Sequence, residues 1–288
     1  MSYGPAPWQQ RAWDWRAAAN FIAGGAGAGL IVFAACSRAL GSSAAAPFAC
    51  GAVLVAVGLL CVWLEIGRPM RALHVFFNPR SSWMSREAFV ATLLLPSAIA
   101  AAFGVAGFAA VAALLALAFV WCQARILKAA KGIPAWRAPR VVGLIVATAL
   151  AEGGGLFLLS TPAHGGAALP LLVVAGLAVL ARFGCWLAYR RQVGASAARP
   201  ALAALDGAAR WLQWAGTLAP LLLIALATAL AIGEGTPNDA ASVATAALAG
   251  VCALGAGAWL KLTLVTRAAF NQGFALARLP VRGTRRTP

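Results

Sequence analysis

The sequence has few of the residues from which proteins build haem sites and metal clusters. Its 288 residues include two histidines, His74 and His164, and the predicted topology places these on opposite faces of a membrane. A haem ligated by two histidines needs both rings at one depth, so this class is excluded. The six cysteines stand singly, without the Cys-x-x-Cys pairs typical of zinc and iron–sulfur sites. The sequence therefore predicts no haem, no metal site and no iron–sulfur cluster within this chain.

Charged residues are also scarce, and long apolar stretches take their place. Only 10% of the residues are charged and 62% are hydrophobic, with a mean hydropathy of +0.83. Because a helix rises 1.5 Å per residue, about 20 apolar residues cross a hydrocarbon layer about 30 Å thick. Six stretches are this long: 17–37, 44–66, 141–160, 167–189, 211–233 and 240–266.

A seventh apolar stretch, 88–123, is too long for one crossing. The glycines within residues 103–107 predict a break, which gives two short helices over 88–104 and 105–123. Eight crossings leave almost no residues for a domain outside the membrane. The sequence therefore predicts an all-α integral membrane protein with eight transmembrane helices.

The eight helices are predicted to form two four-helix bundles, residues 1–123 and 124–288, joined by the basic linker 124–140. No internal repeat is recognisable, which argues against a transporter built from duplicated halves. In the first helix, the pattern Gly25-x-x-x-Gly29 permits close contact with another helix.

Positive charge divides the loops into two sets. With eight crossings both termini lie on one side, which also holds the basic loops 67–87, 124–140 and 190–210. Positively charged short loops stay in the cytoplasm, so both termini are expected on the cytoplasmic side. The net charge of +16 then reflects topology and contact with the lipid bilayer. Because the charge is spread over several loops, it argues against nucleic-acid binding.

Polar residues at the boundary of the apolar layer suggest a quinone site. Glu65 closes the second predicted helix, and Asn20 begins the first at the same boundary. A quinone needs such a place, because its isoprenoid tail stays in lipid while polar groups reach the ring and exchange protons. Together with Asp14 and His74, these residues are predicted to hold and deprotonate a quinol. An ordinary ion pair between Glu65 and a neighbouring arginine is the alternative.

Glu152 is the one acid predicted near the middle of the membrane. It follows Arg140 by twelve residues, which places it about 18 Å into the layer. A charge there costs about 2.5–3.5 kcal/mol on insertion scales, so Glu152 is a functional candidate. Two interpretations stay open: a structural Glu152–Arg182 pair between neighbouring helices, or a proton path that includes both residues.

Three motifs resemble those of one family of membrane proteins. They are Glu65-Ile-Gly-Arg-Pro69, Asn78-Pro-Arg-Ser-Ser-Trp-Met-Ser-Arg-Glu87 and Lys261-Leu-Thr-Leu-Val-Thr-Arg-Ala-Ala-Phe-Asn-Gln-Gly-Phe274. The sequence resembles the NrfD/DmsC-type membrane-anchor subunits of complex iron–sulfur molybdoenzymes, which include dimethyl sulfoxide, polysulfide and tetrathionate reductases. With the following Leu279-Pro-Val-Arg-Gly283, it is most similar to the anchors of phenylacetyl-CoA:acceptor oxidoreductases.

The resemblance implies a complex of three subunits. This chain would be the membrane anchor and the quinone- or menaquinone-reactive subunit, without catalysis of its own beyond quinone exchange. A four-cluster ferredoxin-like subunit with [4Fe-4S] clusters would dock on the basic face, beside a molybdopterin catalytic subunit. Positive-inside topology then places these partners on the cytoplasmic face of a bacterial inner membrane.

The resemblance also implies where the quinone binds, in the first four-helix half near the docking face. Asn20 and Glu65 match positions that the family uses for the ring. Four further candidates are assigned by proximity alone: Asp14, Arg68, His74 and Glu87. The segment 82–87 has a second interpretation as part of the docking surface.

Two other functions compete with the anchor. A secondary transporter would use Glu152 and Arg182 as coupling residues at the bilayer midplane. Only the glycines at 153–155 could interrupt a helix there, and they have no counterpart in the other half. An assembly or scaffold protein, in which the boundary residues are simple anchors, is the third.

Overall fold

The computed structural model describes residues 6–65, 69–164, 168–233 and 239–273. Within these ranges the chain forms helices and short connections, and eight helices are long and apolar enough to cross a membrane. We number them in chain order: α1 Trp15–Ala39, α2 Ala45–Glu65, α3 Trp83–Ala102, α4 Phe108–Ala129, α5 Val141–Leu159, α6 Leu169–Val193, α7 Arg199–Gly233 and α8 Ala240–Arg267. The prediction of an all-α chain with eight potential membrane spans is confirmed for the described residues.

The predicted break between the third and fourth crossings is also confirmed. α3 ends at Ala102 and α4 begins at Phe108. Between them Gly104 and Gly107 adopt φ angles of +81° and +80°, a region that residues with a Cβ disfavour. These two glycines let the chain reverse within a short turn.

α3 begins earlier than the sequence suggests, and this changes the position of Glu87. The Ser82 hydroxyl accepts a hydrogen bond from the Ser85 N–H and caps the helix, so α3 starts before residue 88. Glu87 was expected at the end of the loop 67–87. It lies instead in the early turns of α3, where it is buried.

α7 is the longest of the eight helices and begins well before the predicted crossing 211–233. Its 35 residues span about 52 Å, which exceeds the thickness of the hydrocarbon layer. Its first turns lie beside the end of α6, where Arg190 Nε is 2.7 Å from Asp206 Oδ1. Most of the predicted loop 190–210 is therefore helix.

α1 and α5 form the centre of the structure and cross at glycines. α1 packs against α2, α4 and α5, while α5 packs against α1, α4, α6 and α8. A Cβ on Gly29 would overlap the Ala149 carbonyl oxygen, and one on Gly153 would overlap Gly29. The close contact expected of the α1 glycines is thus formed with α5. The division into two four-helix bundles stays a prediction.

Three of the helices contain a π-helical turn, a rare widening that often marks functional sites. These turns are Asn20–Gly24 in α1, Trp214–Leu218 in α7 and Thr263–Arg267 in α8. Each includes a carbonyl that accepts a side-chain hydrogen bond from another element: Phe21 from Lys261, Gly216 from Arg182, and Leu264 from Trp136. The π-helical turns therefore lie where polar side chains are buried between helices.

The described ends of the chain lie side by side. The Gln10 N–H donates to the Ala269 carbonyl at 2.9 Å, and the Asn271 N–H donates to that of Trp8 at 3.0 Å. This contact joins the segment before α1 to the segment after α8, as an even number of crossings requires. The cytoplasmic position of these ends stays a prediction.

Candidate functional site

Two adjoining cavities lie where α1 begins, α2 ends and α3 begins. The smaller has a volume of about 40 Å³, and the larger, of about 270 Å³, extends toward the short helix Pro69–Phe77. Asn20 and Glu87 line both cavities, and Glu65 lines the smaller one. Three residues that the sequence singles out thus surround one space, although they come from three different helices.

Asn20 and Glu87 are the polar groups at the closed end of this space. Their side chains are 4% and 5% exposed. Asn20 Nδ2 donates to Glu87 Oε1 over 3.4 Å, a long hydrogen bond. Asn20 Oδ1 has no hydrogen-bond partner among the described residues. Both the amide and the carboxyl therefore keep hydrogen-bonding capacity for a polar ligand.

Gln123 of α4 holds the backbone of Asn20 in place, and it was not among the residues predicted from the sequence. Its side chain is fully buried, and its Nε2 donates to the Asn20 backbone carbonyl at 3.0 Å. This bond satisfies a carbonyl of the π-helical turn and fixes the backbone that carries the Asn20 amide. An amide inside an otherwise apolar crossing was the available signal.

Glu65 lies at the open side of the site, beside an ion pair. It is half-buried at the end of α2, within electrostatic range of Asp14 and Arg16. Arg16 Nη2 lies 2.9 Å from Asp14 Oδ2, and Arg16 Nη1 donates to the Leu64 carbonyl at 3.0 Å. Among the described residues Glu65 forms no ion pair, and its carboxyl interacts with the Asp14 backbone N–H; the ion pair with a neighbouring arginine stays a prediction, because Arg68 lies outside those residues.

Asp14 acts on helix α1 and does not line either cavity. Its side chain accepts a hydrogen bond from the Arg16 N–H at 2.7 Å and caps the helix. The Arg16 side-chain hydrogen bond holds the pKa of Asp14 below its usual value. The structure gives Asp14 a local electrostatic role, and its contact with a ring stays a prediction.

His74 is not among the residues that line the cavities. His74 is exposed on the helix Pro69–Phe77, with Nδ1 3.2 Å from the Arg71 carbonyl oxygen and its ring edge against Phe77. Arg68 lies outside the described residues.

A second polar centre lies deeper, between α5 and α8. Glu152 and Lys261 are 0% and 1% exposed, and Lys261 Nζ is 2.5 Å from Glu152 Oε2. The same Nζ donates to the Phe21 carbonyl of α1 at 2.7 Å. This corrects the Glu152–Arg182 pair suggested by the sequence. Lys261 was not predicted as the partner of Glu152, although it is the single lysine within an otherwise apolar crossing.

Arg182 is fully buried near this pair and is held by backbone groups. Its Nη1 donates to the Ala253 carbonyl at 2.7 Å, and its Nη2 donates to the Gly216 carbonyl in the π-helical turn of α7. Arg182 also interacts electrostatically with Glu152 and Lys261. The centre therefore combines two basic side chains with one carboxyl in the interior of the protein.

The fold and these sites fit a multi-pass membrane protein with two adjoining cavities at a helix boundary, mostly apolar but lined by a few polar groups, and a buried ion pair. No family model matches the chain, and no curated protein is significantly similar to it. The resemblance to the membrane anchors thus rests on the three sequence motifs.

Proposed function

We propose that this chain is the quinone-reactive membrane anchor of a molybdopterin iron–sulfur oxidoreductase. In this role it passes electrons between the membrane quinone pool and an iron–sulfur partner subunit. The observation that supports the proposal is the convergence of Asn20, Glu65 and Glu87 on two adjoining boundary cavities, of which the larger, about 270 Å³, is lined by Asn20 and Glu87. Two of these residues match the ring positions of the NrfD/DmsC-type anchors that the sequence resembles.

The residues of the cavity fit a quinone or menaquinone. When bound, this cofactor supplies two-electron chemistry in which two protons are taken up or released. The Asn20 amide is placed to donate to a ring carbonyl, and Glu87 is placed to exchange a proton at an inner ring oxygen. Glu65 is placed to exchange a proton with the aqueous boundary. Apolar side chains such as Leu59, Leu73 and Phe76 line the larger cavity and exclude water.

The basic face is the proposed docking surface for the ferredoxin-like subunit, which connects to the molybdopterin subunit. Trp83 contacts two guanidinium groups, with Arg86 Cζ 4.2 Å and Arg125 Cζ 4.5 Å from its ring centroid. Arg86 also donates to the Pro79 and Arg80 carbonyls, which orders the segment before α3. A rigid cationic surface next to the cavity suits a partner with an acidic face.

The proposed location is the bacterial inner membrane, with both termini and the partner subunits on the cytoplasmic side. The support is the positive charge of the loops on that side. Deeper in the protein, Glu152 and Arg182 are proposed to belong to a proton path.

A secondary transporter is the second candidate, because Glu152, Lys261 and Arg182 are all buried. In that case the three residues would bind a transported ion or substrate, and the boundary cavity would have no redox role.

Affinity purification separates the two functions. The full chain, tagged at its C-terminus, is isolated from gently solubilised membranes, and co-purifying proteins are identified by mass spectrometry. Molybdenum, iron and quinone are assayed in the same sample. The anchor predicts a molybdopterin subunit and a ferredoxin-like subunit with excess iron. A lone chain without metal or quinone would contradict the anchor and favour the transporter.

A further inference from the structure

Buried polar side chains connect the boundary cavity with the deeper Glu152–Lys261 pair. Starting from the cavity, the first of these side chains is Gln123, which donates a hydrogen bond to the Asn20 carbonyl. A Cβ on Gly25 would lie 2.5 Å from Lys261 Nζ and 3.4 Å from Gln123 Oε1. Both polar atoms therefore surround one backbone position, where only a glycine leaves room for them.

Several polar atoms between the boundary cavity and the Glu152–Lys261 pair have unused hydrogen-bonding capacity. Asn20 Oδ1, Gln123 Oε1, Glu152 Oε1 and Arg182 Nε are buried and have no hydrogen-bond partner among the described residues. Most buried polar atoms in proteins are satisfied, and those left over commonly bind internal water or take part in chemistry. The side chains that carry these atoms neighbour one another from the cavity to the deeper centre: Gln123 holds Asn20, Gln123 and Lys261 both lie at Gly25, and Lys261 pairs with Glu152.

The charge of the deeper centre identifies which proton can move. With Glu152 as a carboxylate, Lys261 and Arg182 give the centre one excess positive charge. Arginine keeps its proton in proteins, whereas a buried lysine can lose one. If Lys261 releases its proton, Glu152 and Arg182 still balance each other. The Lys261 proton is therefore the one that the centre can release without leaving an uncompensated charge.

Building on the proposed quinone site, we propose that Lys261 delivers one of the two protons used at the ring. Two electrons from the iron–sulfur partner and two protons convert a quinone to a quinol. One proton comes from the aqueous boundary through Glu65. The other passes from Glu87 to a ring oxygen, so the Glu87 O–H bond breaks as the ring O–H bond forms.

Glu87 is then reprotonated from inside the protein. The Lys261 ammonium gives up a proton to intervening water that the Gln123 amide orients, and this water passes the proton on to the Glu87 carboxylate. Lys261 is left as an amine between Glu152 and the Phe21 carbonyl, and it takes a proton again from water at Glu152 Oε1 that exchanges with the aqueous phase opposite the quinone site. In quinol oxidation the same steps run in reverse. Each turnover thus moves one positive charge partway across the membrane.

Charge movement tests this inference separately from quinone binding. The full-length chain is reconstituted in oriented vesicles on a solid-supported membrane and loaded with a short-chain naphthoquinone. Dithionite, added rapidly from the basic side, reduces the naphthoquinone. Absorbance follows the reduction, while the electrode records the charge that moves within the protein.

The variants are Lys261→Met, which leaves Glu152 and Arg182 to balance each other, and the double change Glu152→Gln with Lys261→Met, which removes both charges of the pair and leaves Arg182 hydrogen-bonded to two backbone carbonyls. Lys131→Met, at an exposed lysine, is the matched control. The wild type and the control should show absorbance change and current together. Both Lys261 variants should keep the absorbance change, but their current should be at least about tenfold smaller than that of the wild type.

Two outcomes overturn proposals, and they are distinguishable. A full current in the Lys261→Met and double variants overturns the role of Lys261 and leaves the quinone site intact. Failure of the wild type to bind naphthoquinone overturns the quinone site itself, and the inference with it.

Discussion

Lys261 Nζ lies 2.5 Å from Glu152 Oε2, and this contact joins α8 to α5 inside the bundle. The same ammonium reaches the Phe21 carbonyl in the π-helical turn of α1, next to Asn20. One side chain therefore connects three helices and links the boundary cavity to the buried carboxyl. A change at Lys261 should consequently affect the stability of the fold and the proposed delivery of protons to the quinone site.

Removing Lys261 alone should destabilise the protein strongly. Lys261→Met removes the direct ion-pair partner of Glu152 and leaves only the more distant Arg182 to balance its charge, and loss of such a buried contact costs up to about 3–5 kcal/mol. The double variant Glu152→Gln with Lys261→Met removes both charges of the pair, while Arg182 stays hydrogen-bonded to two backbone carbonyls, and it should recover part of that loss. Reversible denaturation in mixed micelles would measure the free energies of unfolding. Equal losses in the single and double variants would contradict a coupled buried pair.

The number of crossings could be predicted because it depends on local composition. The bilayer thickness requires about 20 apolar residues for each crossing, and this requirement does not depend on which helices lie beside it. The turn at Gly104 and Gly107 is likewise a local property, since a positive φ favours glycine. The helix α3 begins at Trp83, before the predicted residue 88, because hydropathy does not detect the Ser82 cap.

The partner of Glu152 could not be predicted, because hydropathy does not tell which helices touch. The sequence suggested Arg182 as the partner, because Arg182 is on α6, the helix that follows α5 directly in the chain. Glu152 instead contacts Lys261, 109 residues away on α8. Asn20 and Glu65 were predicted because they share one depth at the boundary, which sequence position does reveal, whereas Glu87 was assigned by proximity alone. Gln123 escaped notice, because its role depends on the lateral packing of α4 against α1.

Alanine at Asn20 or Glu65 should weaken quinone binding without preventing assembly. Each change removes one hydrogen-bonding group from the cavity, worth about 0.5–1.5 kcal/mol, so affinity should fall up to about tenfold. Naphthoquinone titration of the purified protein measures the affinity, and size-exclusion chromatography follows assembly. Thr92→Ala on α3, whose hydroxyl bonds only within its own helix, is the control. Unchanged affinity in both cavity variants would show that the site is wrongly placed.

Alanine at Gly29 should separate α1 from α5. A methyl group there would overlap the Ala149 carbonyl oxygen, and backbone cannot move aside as a flexible side chain can. Overpacking of this kind costs about 1–3 kcal/mol, visible as a lower unfolding midpoint. Gly184→Ala on α6 is the matched control, because no atom within 4 Å opposes the added Cβ. A control that destabilises as much as Gly29→Ala would refute the packing argument.

Acid should weaken the start of α1 through Asp14. Its pKa is held below the usual 3.8, mainly by the Arg16 side-chain hydrogen bond. A lowered folded-state pKa contributes stability that is present above about pH 4 and disappears as pH falls through the lowered value. The difference in thermal midpoint between wild type and Asp14→Asn should therefore shrink on going from pH 7 to below pH 3. A difference that stays constant over this range would exclude ionisation of Asp14 as its source.

Lysine acylation should distinguish the three lysines of the chain by their burial. Lys131 is exposed and Lys128 half-buried, whereas Lys261 is 1% exposed and hydrogen-bonded to Glu152 and Phe21. A water-soluble acylating reagent can reach Lys261 only after local opening, so its reaction should be slower by roughly tenfold or more. Peptide mass spectrometry after a short labelling pulse gives the three rates. If Glu152→Gln removes part of the protection while Lys131 reacts unchanged, the ion pair itself keeps Lys261 in place. Rapid labelling of Lys261 in the wild type would instead mean that the reagent reaches this centre freely, and the buried contact between α5 and α8 would have to be abandoned.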